Sequence, residues 1–246
     1  MASRHAEKHA AAAGACHVAT ALLLGVVMAV VLGGCSGGGN TEGSDQMHGN
    51  ATLPSAEVTA SDAADEEGTM HTSDVTVSGN EIAVIKTPKG TIKFTFYAAD
   101  APNTVASFIE LADAGFYDGI KFHRVVPSFV VQGGDPQTRD LSGGEVSEIT
   151  ARQAQGVVQP GEAYIGSGGP GWTQKAEING QKHLKGTVAM ARSQAMDSAG
   201  SQFYICLEPQ PSLDGKYTVF GQVIEGMDVV EAIAVGDEIE SITIER

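Results

Sequence analysis

The chain has 246 residues, 30 acidic against 15 basic, and a formal net charge of −15. That balance leaves no electrostatic footprint for nucleic acid, whose binding depends on neutralising phosphates, and it speaks for solubility rather than for any one activity. Three cysteines, Cys16, Cys35 and Cys206, exclude a disulfide framework.

Residues 1–34 read as an export signal. Arg4 and Lys8 give a weakly basic start, and an apolar run over residues 18–32 leads into Leu32-Gly33-Gly34-Cys35. Small residues before a cleavage site suit a signal peptidase. The four residues resemble a bacterial lipobox, which implies a diacylglyceryl group on the Cys35 thiol. A permanent transmembrane anchor competes, since residues 10–34 nearly reach the span of about 20 apolar residues. Against it, His17 interrupts the run and no Lys/Arg cluster follows. Two acyl chains anchor a protein stably. The expected location is therefore extracytoplasmic, lipid-anchored to a bacterial membrane.

Residues 35–74 read as the lipidated N-terminus and a disordered acidic linker. From residue 36 it holds eight acidic residues, no Lys or Arg, and no apolar period. Such a segment cannot bury enough surface to offset its ordering entropy. As a flexible tether it would span roughly 35 Å.

Residues 75–246 suffice for one domain. Runs 81–87 and 91–97 predict a hairpin around Pro88-Lys89-Gly90, with Ile92, Phe94 and Phe96 alternating with Lys93 and Thr95. Further strands are predicted over 120–125, 129–133, 187–192, 202–207, 218–223 and 239–245. One helix is predicted over 102–114, with Val105, Phe108, Ile109 and Ala112 on one face, Pro102 near its start and Gly115 past its end. A shorter helix is predicted over 227–234. Residues 136–165 form a long connection, read as a loop insertion overhanging the site. Many short strands suit a sandwich or a barrel, and periodicity does not choose between them.

Two long blocks decide more. The first runs Phe122-His123-Arg124-Val125-Val126-Pro127-Ser128-Phe129-Val130-Val131-Gln132-Gly133-Gly134-Asp135. The second joins Gly186-Thr187-Val188-Ala189-Met190-Ala191-Arg192 to Gly200-Ser201-Gln202-Phe203-Tyr204-Ile205. From about Glu81 to the C-terminus the chain resembles the cyclophilin family of peptidyl-prolyl cis/trans isomerases. The resemblance implies a mainly β fold, a closed eight-stranded antiparallel barrel capped by two helices, with the active site in a groove on its outer face. It also implies proline-containing unfolded or flexible polypeptides as partners, with cyclosporin-like macrocycles as further ligands.

Rotation about an X–Pro bond crosses a barrier of about 18–20 kcal/mol, because the amide loses its resonance. At the top, the proline nitrogen is pyramidal and carries a localised lone pair. A catalyst needs an apolar seat for the ring, a donor aimed at that nitrogen, and a grip on the flanking backbone. It needs no nucleophile, metal or cofactor. Outside these blocks, an Arg in an apolar run reads as a surface residue with a snorkelling stem. Within them, Arg124 is the donor. The resemblance gives Arg124, Gln132 and Phe129 the catalytic positions, with Gln132 orienting Arg124. It places Phe129, Val130, Tyr204 and Leu213 around the proline ring and Tyr217 near it. Ala191 and Arg192 would bind peptide through their main chain, and Gln202 would line the neighbouring pocket.

Three positions depart from the family pattern. Val130 stands for a larger Met, Ser212 for Trp or Phe, and Arg192 for Asn. His123 reads as structural, because the reaction transfers no proton, and Cys206 reads as packing. Gly166-Ser167-Gly168-Gly169-Pro170-Gly171 matches a dinucleotide fingerprint but lacks the strand before and helix after it. His48, His71 and His183 lack metal-ligand spacing. The reading is an isomerase acting on exported or surface proteins. The alternative is a proline-peptide-binding or chaperone module with little turnover.

Overall fold

A computed structural model describes residues 69–246. The signal segment, Cys16, Cys35, His48 and the linker up to residue 68 lie outside the described residues. The strands are β1 (Thr69–His71), β2 (Ile82–Thr87), β3 (Gly90–Phe96), β4 (Arg124–Val126) and β5 (Val130–Gly133), then β6 (Trp172–Gln174), β7 (Thr187–Met190), β8 (Phe203–Cys206), β9 (Val219–Glu225) and β10 (Ser241–Glu245). Three helices accompany them: α1 (Pro102–Asp113), α2 (Gly143–Ala154) and α3 (Met227–Ala232). No helix among the described residues is long and apolar enough to cross a membrane.

Eight strands form one antiparallel sheet in the order β10-β2-β3-β9-β7-β8-β5-β4. These are the eight predicted runs, but the barrel is open where a closed one was expected: β4 and β10 are its ends and do not pair with each other. The reason is local. The predicted strand over 120–125 enters the ladder only from Arg124. Residues 119–122 bond instead to the turn before β10, through Gly119 N–H to the Ile239 carbonyl (2.9 Å) and Phe122 N–H to that of Asp237 (2.8 Å). This seam carries one isolated bridge, Lys121 to Glu238, so the sheet curls into a half-barrel.

Alternation along the strands builds two apolar layers. Val131, Val188, Met190, Phe203, Ile205 and Phe220 point inward and join the main core. Phe108 of α1 reaches that core and packs on the rings of Phe94, Tyr117, Phe203 and Phe220. Their neighbours Val130, Ala189, Tyr204, Cys206 and Val219 point outward into a smaller cluster. Tyr97, Phe129, Ala191, Leu213 and Tyr217 extend that cluster, and the site is built on it.

Three elements stand where structure was not expected: α2, β1 and its partner β6. The connection over 136–165 carries α2, opened by a capping box: Ser142 Oγ accepts from Glu145 N–H and the Glu145 carboxylate accepts from Ser142 N–H. Residues 69–71, read as linker, form β1, paired in parallel with β6. The folded domain therefore begins by Thr69, before residue 75. Parallel pairing demands a distant partner, which no local signal at 69–74 reveals.

Candidate active site

The β4–β5 register sets Arg124 opposite Gln132. Arg124 Nη1 donates to Gln132 Oε1 at 3.4 Å, and its guanidinium carbon lies 5.5 Å from the Phe129 ring centroid. No carboxylate among the described residues pairs with Arg124, so its charge is available to a ligand. Gln132 Nε2 in turn donates to Gln202 Oε1 (3.0 Å). The Gln202 amide nitrogen donates to the carbonyls of Gly166 (2.9 Å) and Gly168 (2.8 Å). One chain of hydrogen bonds thus runs from the guanidinium to the Gly-rich loop. Asp135 fixes that loop by accepting from the N–H groups of Gly166 and Gly168.

Beside Arg124 opens a pocket of about 240 Å³. Phe129, Val130, Leu213, Tyr204 and Tyr217 form its apolar walls, and Gln132, Ala191 and Arg192 complete the lining. Nine of the ten residues expected at the site meet here. The tenth, Gln202, lines an adjoining cleft of about 380 Å³ together with the Gly-rich loop and Trp172. The Arg192 guanidinium lies 4.8 Å from the Tyr217 ring centroid and donates to the carbonyls of Lys216 and Ser193. Its side chain is thereby committed to its own loop and to the loop before β9. Ser212 is exposed and lies outside the pocket lining.

Behind the pocket lies a polar relay that sequence reasoning missed. His183 is 1% exposed. Its Nδ1 meets Asp214 Oδ1 at 3.1 Å and its Nε2 meets the Tyr204 hydroxyl at 3.0 Å. Asp214 is held at about 2, first by the His183 backbone N–H, then by the His183 ring and Lys182. Burial pushes His183 below its ordinary value. A neutral imidazole next to a carboxylate donates from Nδ1 and accepts from the Tyr204 hydroxyl at Nε2. The partners are 21 and 31 residues from His183, so spacing gave no signal. Cys206 packs in the same outer cluster, its thiol pushed up to about 12 by burial.

A family model described as "Cyclophilin type peptidyl-prolyl cis-trans isomerase/CLD" matches residues 82–246. The chain belongs to this family. A peptidyl-prolyl cis-trans isomerase of Synechococcus elongatus is 43% identical over 164 residues, covering 66% of this chain and 94% of the relative. Peptidyl-prolyl cis-trans isomerase B of Bacillus subtilis is 39% identical over 155 residues, covering 63% and 90%. The crystal structure of a Cryptosporidium parvum cyclophilin, 24% identical, superposes with a TM-score of 0.53 over 68% of this chain and 98% of that one. The same Cryptosporidium protein has also been solved in the presence of the dipeptide Ala-Pro. The activity of this cyclophilin is therefore peptidyl-prolyl cis/trans isomerisation.

Proposed function

We propose that Arg124 is the catalytic donor of this isomerase and that the Phe129 pocket seats the substrate proline. The observation that carries this is the guanidinium, bonded to Gln132 and standing over Phe129 at the mouth of an open apolar pocket. The proline ring lies against Phe129, Val130 and Leu213. Gln132 holds the guanidinium plane toward the proline nitrogen, whose lone pair is accessible only when the amide is twisted. The contact thus strengthens at the transition state and raises the rate rather than the affinity.

A charge-assisted hydrogen bond contributes roughly 1.5–3 kcal/mol. A 10,000-fold acceleration requires about 5.5 kcal/mol. The remainder comes from removing the amide from water and holding it twisted between Arg124 and the main chain at Ala191. Replacing Arg124 by Ala is expected to lower kcat/KM on the order of 10- to 100-fold, while peptide Kd changes by only a few-fold. A protease-coupled proline-isomerisation assay with calorimetric binding reads both. Unchanged turnover would remove Arg124 from the mechanism.

The substrates are exported or surface polypeptides, and the chain is held at a membrane by a lipid on Cys35. The Leu32-Gly33-Gly34-Cys35 motif supports this, as does the composition of residues 36–68. That tether reaches roughly 30 Å. Labelling with a radioactive fatty acid should mark the wild type and not Cys35→Ala.

A further inference from the structure

A third cleft, about 580 Å³ in volume, opens on the other side of Arg124 from the proline pocket. Its walls are the β4 residues Val125 and Val126 and the α2 residues Ala151 and Ala154, closed by Ile165 and Val235. Arg124 and Gln132 line both this cleft and the proline pocket, so the two adjoin. The volume falls within the range of ligand pockets, roughly 300–1,000 Å³.

Two buried polar side chains that line the cleft carry unpaired atoms. His123 is 4% exposed, and neither ring nitrogen has a hydrogen bond. Gln202 lies beside it without a hydrogen bond to the ring: its amide hydrogens go to Gly166 and Gly168, and its Oε1 accepts from Gln132. Gln153 is 5% exposed; its Nε2 donates to the Ala163 carbonyl, and its Oε1 accepts nothing. A buried polar atom left unpaired costs about 1–3 kcal/mol. Two such residues facing one cleft mark a place that a ligand completes.

The cleft is held open by its own framework. Ser147 Oγ donates to the Val235 carbonyl (2.9 Å), and Arg152 pairs with Glu162 (2.6 Å). The capping box fixes the start of α2.

We propose that α2 adds a substrate subsite to this isomerase, taking a neutral hydrogen-bonding side chain that flanks the proline in the polypeptide being turned over. The inference rests on the Arg124 reading, because the proline at Phe129 sets where the flanking residues lie. Beside its apolar residues and the unpaired His123 and Gln153 atoms, the lining holds Arg124, Gln132 and the hydroxyls of Ser147 and Thr150, which bond within the protein, and it contains no carboxylate. A carboxamide can both accept from an imidazole N–H and donate to Gln153 Oε1. A carboxylate can only accept: it meets Gln153 Oε1 lone pair to lone pair, and the one cation of the lining, Arg124, stands at the rim and is engaged by the twisted amide. A lysine ammonium has no buried carboxylate to meet and faces the Arg124 charge at the rim. Burying either charge unpaired is costly. The occupant is therefore a Gln- or Asn-type side chain, favoured over Glu and Lys.

The test uses the full chain and peptides with one central Ala-Pro, scanned with Gln, Glu and Lys at each of the three positions on either side. At one flank, kcat/KM should favour Gln over both charged residues by about tenfold, carried by KM. Ala151→Trp fills the cleft from an exposed position of α2, and the preference should fall to within about twofold. A peptide with benzophenone-alanine at the preferred position should crosslink to residues 147–154. Equal preferences in wild type and Ala151→Trp, or crosslinks confined to the Gly-rich loop, would overturn the subsite. Unchanged kcat/KM in Arg124→Ala, with the crosslinks to α2 retained, would instead overturn the Arg124 reading and leave the subsite standing.

Discussion

Tyr204 presents its ring to the proline pocket and its hydroxyl to His183, which couples a wall of the site to a buried polar relay. His183→Leu removes the acceptor for that hydroxyl and the donor to Asp214 Oδ1. The Tyr204 ring then loses the bond that fixes its tilt against Tyr217. Its effect should appear as a several-fold rise in KM with kcat little changed, and His183→Gln, which restores a donor and an acceptor, should recover part of it. Equal losses in both variants would mean that the residue serves packing alone. His123 makes a separate prediction about stability. Burial, offset in part by Asp135, reinforced by Arg124 and offset slightly by Gln202, lowers it from 6.5 to about 4. The native state therefore refuses a proton that the unfolded chain accepts between those values. Stability is fully present above pH 6.5 and falls as pH drops toward 4, by about 3 kcal/mol for this group. Below pH 4 a second loss begins, because Glu81 and Asp214 are each held at about 2 and must be protonated. Urea unfolding across pH 7.5 to 3 should show both windows, and His123→Gln should flatten only the first. Little of this was legible beforehand: Arg124 and Gln132 announce themselves through an unbroken local block, whereas His183, Tyr204 and Asp214 meet only when one strand and two loops converge.

At the scale of elements, legibility follows the number of buried side chains each element carries. β3 buries Ile92, Phe94 and Phe96 and exposes the alternate positions, so its period states its fold. α1 buries Val105, Phe108, Ile109 and Ala112 on one stripe and reads as clearly. α2 buries only Val146 and Gln153, too little for a hydrophobic stripe. Its one sequence signal is Ser142-Gly143-Gly144-Glu145, a capping box that marks a helix start without apolar support. The closed barrel failed for a related reason: closure depends on how long the edge strands stay in register, and β4 contributes only three residues. What holds α2 in place is close backbone contact. Gly236 has φ +93, and a Cβ there would collide with the Gly143 carbonyl. Gly236→Ala should therefore destabilise the domain by roughly 1–3 kcal/mol through strain and displacement. In the same variant the α2 side of the third cleft should shift, so that flank preference among peptides weakens while turnover of an Ala-flanked peptide changes less. Hydrogen exchange would show the loss of protection concentrated in residues 143–154.

At the scale of the whole molecule, β1 makes the N-terminal segment part of the domain it was expected only to carry. His71 stacks on Trp172 at 4.1 Å between ring centroids and meets Glu110 at 3.0 Å, while Ser73 N–H donates to Asn103 Oδ1. These are modest contacts on a short, half-exposed strand, worth about 1–2 kcal/mol together. Their position matters more than their strength, because Trp172 also lines the cleft beside the Gly-rich loop. The strand therefore places the first described residues at the rim of that cleft. Trp172 is the single tryptophan of the chain, so its fluorescence reports this junction directly. A chain beginning at residue 75 should show red-shifted emission, since the indole loses the His71 ring and gains water. Its melting temperature should fall by roughly 2–8 °C, given a shift of about 2–4 °C per kcal/mol at this size. His71→Ala should reproduce most of the spectral change with a smaller loss of stability, because the β1–β6 backbone pairing survives. Identical emission in all three proteins would mean that β1 does not dock on Trp172 in solution.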